Sequence, residues 1–216
     1  MGFVRARTKE QIISRQKEIM EACDTIFSQS GYESVNIKAI AQMTSLQRPA
    51  FYFYYKTKDE VLLDLLKREM QAWDASMQEV IDATESMTKE EFGSFLTDML
   101  APREKMLKLL TLLCTNIENQ CSVEKLADFK RDRGGSLLTI RKGLDKFFPK
   151  VSSSNKDFFI TSFMAYTFGL FPLAFPTNKQ IEAMKMAGRE PHPPNFRETF
   201  YRGIMLFLSD LADNQD

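Results

Sequence analysis

Between Lys38 and Lys58 the chain gathers an amide, a guanidinium, two phenols and two ammonium groups: Lys38, Gln47, Arg48, Tyr52, Tyr54 and Lys58. Those groups share one chemistry, the recognition of duplex DNA. Arginine binds guanine O6 and N7 with two parallel hydrogen bonds, and glutamine does the same for adenine. Phenols and ammonium groups bond phosphate oxygens, which fixes position without reading sequence. Base reading is therefore expected from Gln47, Arg48 and Lys38, with Pro49 and Ala50 offering apolar contact to a thymine methyl. Backbone contact is expected from Tyr52, Tyr54, Lys58 and the exposed amides of a helix that starts at Asn36. Plainer roles compete at several positions. Tyr54 can pack one helix on another, Lys38 can sit on a solvated face, and Phe51, Phe53 and Tyr55 read first as core or hinge packing.

The elements needed to hold these groups are visible around them. Val35 and Ile40 flank an Asn36 N-cap at the spacing of a hydrophobic staple. Ile37, Ile40, Ala41 and Leu46 give an apolar face, and Thr44-Ser45 supply a turn. A second helix, Gln47 to Tyr52, is too short to stand alone in water, so packing must hold it. Two short helices joined by a tight turn are a helix-turn-helix. Before it, a helix over Lys9 to Ser30 carries Ile12, Ile19, Ala22, Cys23, Ile26 and Phe27 on one face, with Gly31 as its stop. After it, Thr57 to Glu60 is a capping box opening a long helix to about Ala83.

The stretch Arg15–Leu66 resembles the tetracycline-repressor (TetR) family of bacterial regulators. The resemblance rests on IMEACDTIFSQSGYESVNIKAIA and LQRPAFYFYYKTKDEVLLDLL, the second ending in the family's Tyr-x-x-aromatic-Lys-x-Lys-x-Glu pattern. Ser45 stands where the family commonly has Gly, and Pro49-Ala50 where Gly-Thr is commoner. Proline is acceptable there, because a first-turn amide has no intrahelical partner. The resemblance implies an all-α chain: a three-helix DNA-binding domain with helix-turn-helix over residues 1–58, then a larger helical regulatory and dimerisation domain over 59–216. It also implies that Tyr52, Tyr54 and Lys58 touch the DNA backbone. A homodimer would place two recognition helices about one helical turn apart on a near-palindromic operator. An effector would swing the long helix after Thr57 and release the DNA.

Composition agrees with that division. The net charge is zero, yet residues up to Lys58 hold nine basic and five acidic side chains, so the head is about +4 and the remainder about −4. No basic-apolar-small leader is present, and a cytoplasmic location is expected. The three cysteines read as free thiols, with Cys114 and Cys121 as buried structural thiols. The single histidine, His192, lies in a Pro-rich loop, and no metal site or cofactor is expected.

Beyond Lys67 the pattern stays helical. Thr88 with Glu91 opens a helix, Pro102 starts another, Ser122 caps a third, and Gly134-Gly135 interrupts before a segment reaching Phe148-Pro149. Thr177 with Gln180 caps a short helix ending at Gly188. Phe158 to Phe175 is eighteen residues without a charge, the lower limit for a membrane span. Thr161, Ser162, Thr167, Gly169 and Pro172 argue against that role, and a buried helix is expected. The resemblance implies that Phe158–Phe175 and Phe196–Leu211 form the dimer interface. Met among aromatics suits a pocket for a small apolar or aromatic effector, with Trp73, Phe95, Met99, Met106, Phe129, Phe163 and Tyr166 as candidates beside an ordinary core role.

The expectation is thus a ligand-responsive DNA-binding regulator, a repressor by analogy. Two alternatives stand beside it. One is a constitutive DNA-binding dimeric adaptor that recruits a protein. The other is an enzyme, against which stands the lack of any nucleophile–base pairing, phosphate loop or metal motif.

Overall fold

The computed structural model describes residues 8–132 and 134–211, with side chains left out over 132–136. Arg5 and Arg7, counted in the basic head, lie outside the described residues. The chain packs as two units: residues 1–69 with 112–133, and residues 70–111 with 134–216. Among the described residues every regular element is helical.

In the first unit, α1 (Lys9–Ser30) starts at a Thr8–Gln11 capping box and stops at Gly31. Gly31 has φ +76°, a conformation that costs other residues free energy. The buried face of α1 begins only at Ile19 and includes Ala22, Cys23 and Phe27; Ile12, expected on that face, is 41% exposed. A single 3₁₀ turn at Tyr32–Ser34 leads to Asn36, whose side chain accepts from the Ala39 amide and caps α2 (Ile37–Gln42). Val35 and Ile40 are both buried, as the staple requires. Gln47 is the N-cap of α3 (Arg48–Phe51), which is two residues shorter than expected. Pro49 sits in its first turn, where no donor is lost.

The long helix α4 (Lys58–Ala83) gives its first three turns to this unit. The remainder comes from far along the chain. A π-helical turn at Leu113–Ile117 precedes α7 (Glu118–Gln120) and α8 (Val123–Asp132). Leu113, Ile117 and Phe129 are buried with Val61, Leu62, Leu65 and Leu66 of α4 in the same unit.

The second unit holds the rest of α4, α5 (Lys89–Leu100), α6 (Glu104–Leu112) up to Thr111, α9 (Gly134–Phe147), α10 (Ser153–Ala174), α11 (Asn178–Met186) and α12 (Phe196–Ser209). The Thr88–Glu91 and Thr177–Gln180 capping boxes form as expected. The helix expected to start at Pro102 begins two residues later, at Glu104. α12 packs on both α5 and α10. Its approach to α10 depends on Gly203: a Cβ there would lie 2.4 Å from two atoms of the Tyr166 ring. Tyr166 also donates to the Thr199 carbonyl at 2.8 Å and stacks on Phe200. It is therefore the wedge between α10 and α12.

α10 is long and apolar enough to cross a membrane by length and composition, with mean hydropathy 1.3. The expectation of a buried helix holds only in part, since 28% of its apolar window is buried within the chain. Phe159, Phe163, Thr167, Leu170 and Phe171 face inward, while Phe158 and Leu173 are exposed.

Candidate nucleic-acid interface

Asn36, Ile37, Lys38, Arg48, Lys56, Thr57 and Lys58 line one cleft of about 340 Å³. Three helix starts converge there, those of α2, α3 and α4, and no acidic residue is among the lining. Four cations around one concavity focus positive potential on any anion that enters, as a phosphodiester would. Asn36, Lys38 and Arg48, expected to meet DNA, are exposed on this surface, and Lys58 is half-buried within it. Lys58 is also oriented: its ammonium bonds the Tyr32 carbonyl at 3.3 Å and lies 3.9 Å over the Tyr32 ring.

Gln47 and Pro49 are exposed beside Arg48. Tyr52 is 54% exposed, and its ring stands edge-on against Phe51. Tyr54 is half-buried, compatible with packing and with a phosphate contact alike. Two expectations are corrected. Ala50 is 4% exposed and belongs to the core of the unit, so it cannot offer a methyl to thymine. Phe53, read as core or hinge, is instead 65% exposed, whereas Phe51 and Tyr55 are buried as expected. A four-residue helix is too short for its sequence to reveal which face turns inward.

Lys56 and Thr57 were not singled out from the sequence as DNA contacts, although Lys56-Thr57-Lys58 places two cations one residue apart. The Lys56 ammonium lies 3.8 Å from Glu124, with both side chains mostly exposed, a pairing of little energetic weight. The turn before α3 is held from α1, where Arg15 and Glu18 both bond Ser45.

Behind the cleft, two carboxylates at the start of α4 are buried. Asp59 accepts from the Tyr32 phenol at 2.8 Å; burial dominates its environment and raises its carboxyl above the ordinary range. Glu60 behaves oppositely. Burial alone would raise it, but hydrogen bonds from Ser122 and the Lys56 amide, with the charge of Lys125, hold it below the ordinary range. The Glu60 amide bonds the Thr57 hydroxyl, which is one half of the expected capping box; the Glu60 carboxylate is drawn elsewhere. Its carboxylate accepts from the Lys56 amide at 2.7 Å and from both the amide and hydroxyl of Ser122, at 3.2 and 2.7 Å. One turn on, Lys125 pairs with Asp64 at 2.7 Å. Thus one acid joins the start of α4 to the residue before α8, a pairing across 62 positions that no local pattern announces.

Burial pushes the Cys23 and Cys121 thiols up to about 12, which leaves little thiolate. Cys114, expected to be buried, is exposed on the π-helical turn. Among the described residues no group of three or more His, Cys, Asp or Glu is placed to hold a metal. Of the effector candidates, Trp73, Phe95, Met106, Phe129 and Phe163 are buried, and Met99 and Tyr166 half-buried. Phe129 lies in the first unit and the other six in the second, so they do not form one cluster within either. Trp73 stacks nearly parallel on Phe163, with centroids 6.4 Å apart, and its indole N–H is buried without a hydrogen-bond partner.

A helix-turn-helix whose exposed short helix borders a four-cation cleft defines the class, a DNA-binding regulator. Residues 19–65 match the family described as "Bacterial regulatory proteins, tetR family", and residues 67–212 match "Tetracyclin repressor-like, C-terminal domain". The chain belongs to the tetR family of transcriptional regulators. It is 26% identical over 153 residues to the uncharacterized HTH-type transcriptional regulator YfiR of Bacillus subtilis, covering 64% of this chain and 70% of that protein. It is 34% identical over 61 residues to the HTH-type transcriptional repressor KstR of Mycolicibacterium smegmatis, covering 28% of this chain and 30% of that one. The fold also resembles that of the fatty acid degradation regulator FadR from Bacillus halodurans, with TM-score 0.58 at 15% identity over 97% of this chain and all of the other.

Proposed function

We propose that this chain is a ligand-responsive repressor that binds a near-palindromic operator as a homodimer and leaves it when a small apolar or aromatic effector binds. Regulators of this family bind DNA operators as dimers and take small-molecule effectors. The observation that carries the DNA reading is the cleft of Lys38, Arg48, Lys56 and Lys58 beside an exposed Gln47. Lys56, Lys58, Tyr52 and Tyr54 position the phosphates, and Arg48 with Gln47, Lys38 and Pro49 reads bases.

Dimerisation uses α10 and α12. Phe158, Leu173 and Leu206 stay exposed on these helices at 59%, 66% and 70%, an apolar surface that a second copy would cover. The same surface accounts for the membrane-like composition of α10 without a bilayer. The effector site is drawn from Trp73, Phe95, Met99, Met106 and Phe163. The unpartnered Trp73 donor supports this, because a buried indole N–H ordinarily finds an acceptor. Release then follows from unequal affinity of the effector for the DNA-competent and DNA-incompetent shapes. The protein works in the cytoplasm and catalyses no reaction.

Selection of bound duplexes from a random library, at stated salt concentration, tests the reading. The expected result is an enriched palindrome with half-sites about one helical turn apart. Salt-sensitive binding with no enriched sequence would overturn it.

A further inference from the structure

The turn of the helix-turn-helix carries a side-chain assembly that its sequence position does not explain. The Ser45 amide donates to Glu18 Oε1. The Ser45 hydroxyl donates to Glu18 Oε2 at 3.1 Å and accepts from Arg15 Nη1. The same Arg15 nitrogen donates to Glu18 Oε2 at 2.8 Å, closing a ring of three residues. Arg15 and Glu18 are three apart on α1, and their side chains keep 34% and 29% of their exposure. Ser45 lies 27 positions further on.

From this geometry we infer that Arg15 and Glu18 are positioning residues for base recognition, a clamp on Ser45 that sets the angle at which α3 presents Gln47 and Arg48.

The turn needs such a clamp because its own backbone bonds are few. The Thr44 amide reaches the Ala41 carbonyl at 3.4 Å, and the Leu46 amide reaches only the Thr44 hydroxyl, also at 3.4 Å. The Ser45 amide is satisfied from α1 instead. No described residue other than glycine has positive φ, so Ser45 does not occupy a backbone conformation that favours glycine. What serine adds is a hydroxyl that engages both members of the ion pair. Burial acts to raise the Glu18 carboxyl, but the Ser45 amide, Arg15 and the Ser45 hydroxyl outweigh it and hold the carboxyl below its ordinary value.

Leu46, the next residue, is 4% exposed and anchors the turn in the core. Gln47 and Arg48 follow at once as N-cap and first residue of α3. A helix of four residues has little stiffness of its own, so its direction is set at that anchor. Loosening the clamp lets α3 rock, and a bidentate base contact tolerates little misorientation. Phosphate contacts from Lys56 and Lys58, at the start of α4, do not pass through the turn.

The inference rests on the DNA-binding reading, and one assay separates the two. Full-length wild type, Glu18→Ala, Glu18→Gln and Ser45→Ala are titrated by fluorescence anisotropy against a library-selected duplex and a scrambled duplex of equal composition. Glu18→Ala is expected to reduce the ratio of the two affinities about tenfold, the equivalent of one charge-assisted hydrogen bond, with scrambled-duplex affinity lowered far less, through Tyr52 and Tyr54 alone. Glu18→Gln keeps an acceptor for the Ser45 amide and is expected to restore most of the ratio. Ser45→Ala changes only an exposed hydroxyl, so it folds, and is expected to lose about threefold. Equal loss on both duplexes, or an unchanged ratio in both Glu18→Ala and Ser45→Ala, overturns the clamp while leaving the regulator reading intact. A wild type that prefers neither duplex overturns both.

Discussion

Replacing Glu60 by alanine removes one carboxylate and strands three donors. The Lys56 amide, the Ser122 amide and the Ser122 hydroxyl all lose their acceptor, at original distances of 2.7, 3.2 and 2.7 Å. Each hydrogen bond to a charged group contributes about 1.5–3 kcal/mol. Lys56 is exposed and Ser122 only half-buried, so water recovers part of that loss. The expected destabilisation is therefore about 2–4 kcal/mol, well below the sum of the three bonds. Ser122→Ala removes only the hydroxyl and is expected to cost about 1–2 kcal/mol. The decisive quantity is the coupling between the two substitutions, expected at about 1–2 kcal/mol from urea unfolding followed by far-UV circular dichroism. The acid limb supplies an internal control. The Glu60 carboxyl in the folded protein lies below the ordinary glutamate range. A group depressed on folding stabilises above its unfolded pKa and loses that contribution as pH falls through the folded one. The coupling should accordingly be full at neutral pH and fade below about pH 4. Additive effects at neutral pH, or a coupling unchanged in acid, would refute the claim that Glu60 joins α4 to the segment before α8.

Other substitutions test separate parts of the structure. Lys56→Ala should weaken binding to every duplex alike and reduce the salt slope by about one, whereas Arg48→Ala should cost about 1–3 kcal/mol and relax selectivity at one base pair. Salt-dependent anisotropy on matched and mismatched duplexes separates the two patterns. Gly203→Ala forces a Cβ to 2.4 Å from the Tyr166 ring, so thermal unfolding should show a loss of about 1–3 kcal/mol that Tyr166→Leu partly relieves. Leu206→Glu places a charge on a surface 70% exposed in the single chain, so the fold should survive while light scattering shows monomer in place of dimer. A dimer that persists would exclude that face from the interface.

The local elements of this protein were legible because their signals act over three or four residues. Asn36 caps α2, Thr88 and Thr177 cap α5 and α11, and Val35 and Ile40 are both buried at the staple spacing, each a signal set by helical geometry alone. The same reach explains the errors. The four residues of α3 cover barely one turn and Phe53 lies in the turn just past its end, so periodicity could not say that Ala50 turns inward and Phe53 outward. Cys114 and Cys121 lie seven apart but in different environments, because Cys114 sits within a π-helical turn that interrupts the 3.6-residue period before Cys121.

The type and order of the helices and the excess of positive charge up to Lys58 were determined by the sequence itself. Propensity, caps and charge are properties of neighbours along the chain. Tertiary structure alone decided that residues 112–133 complete the unit holding the helix-turn-helix, that Lys56 joins Lys38, Arg48 and Lys58 around one cleft, and that Tyr166 closes on Gly203. Those outcomes depend on side chains as far as 62 positions apart finding one another. The free energy of such contacts comes from shape, burial and charge complementarity between surfaces that exist only once the helices have packed.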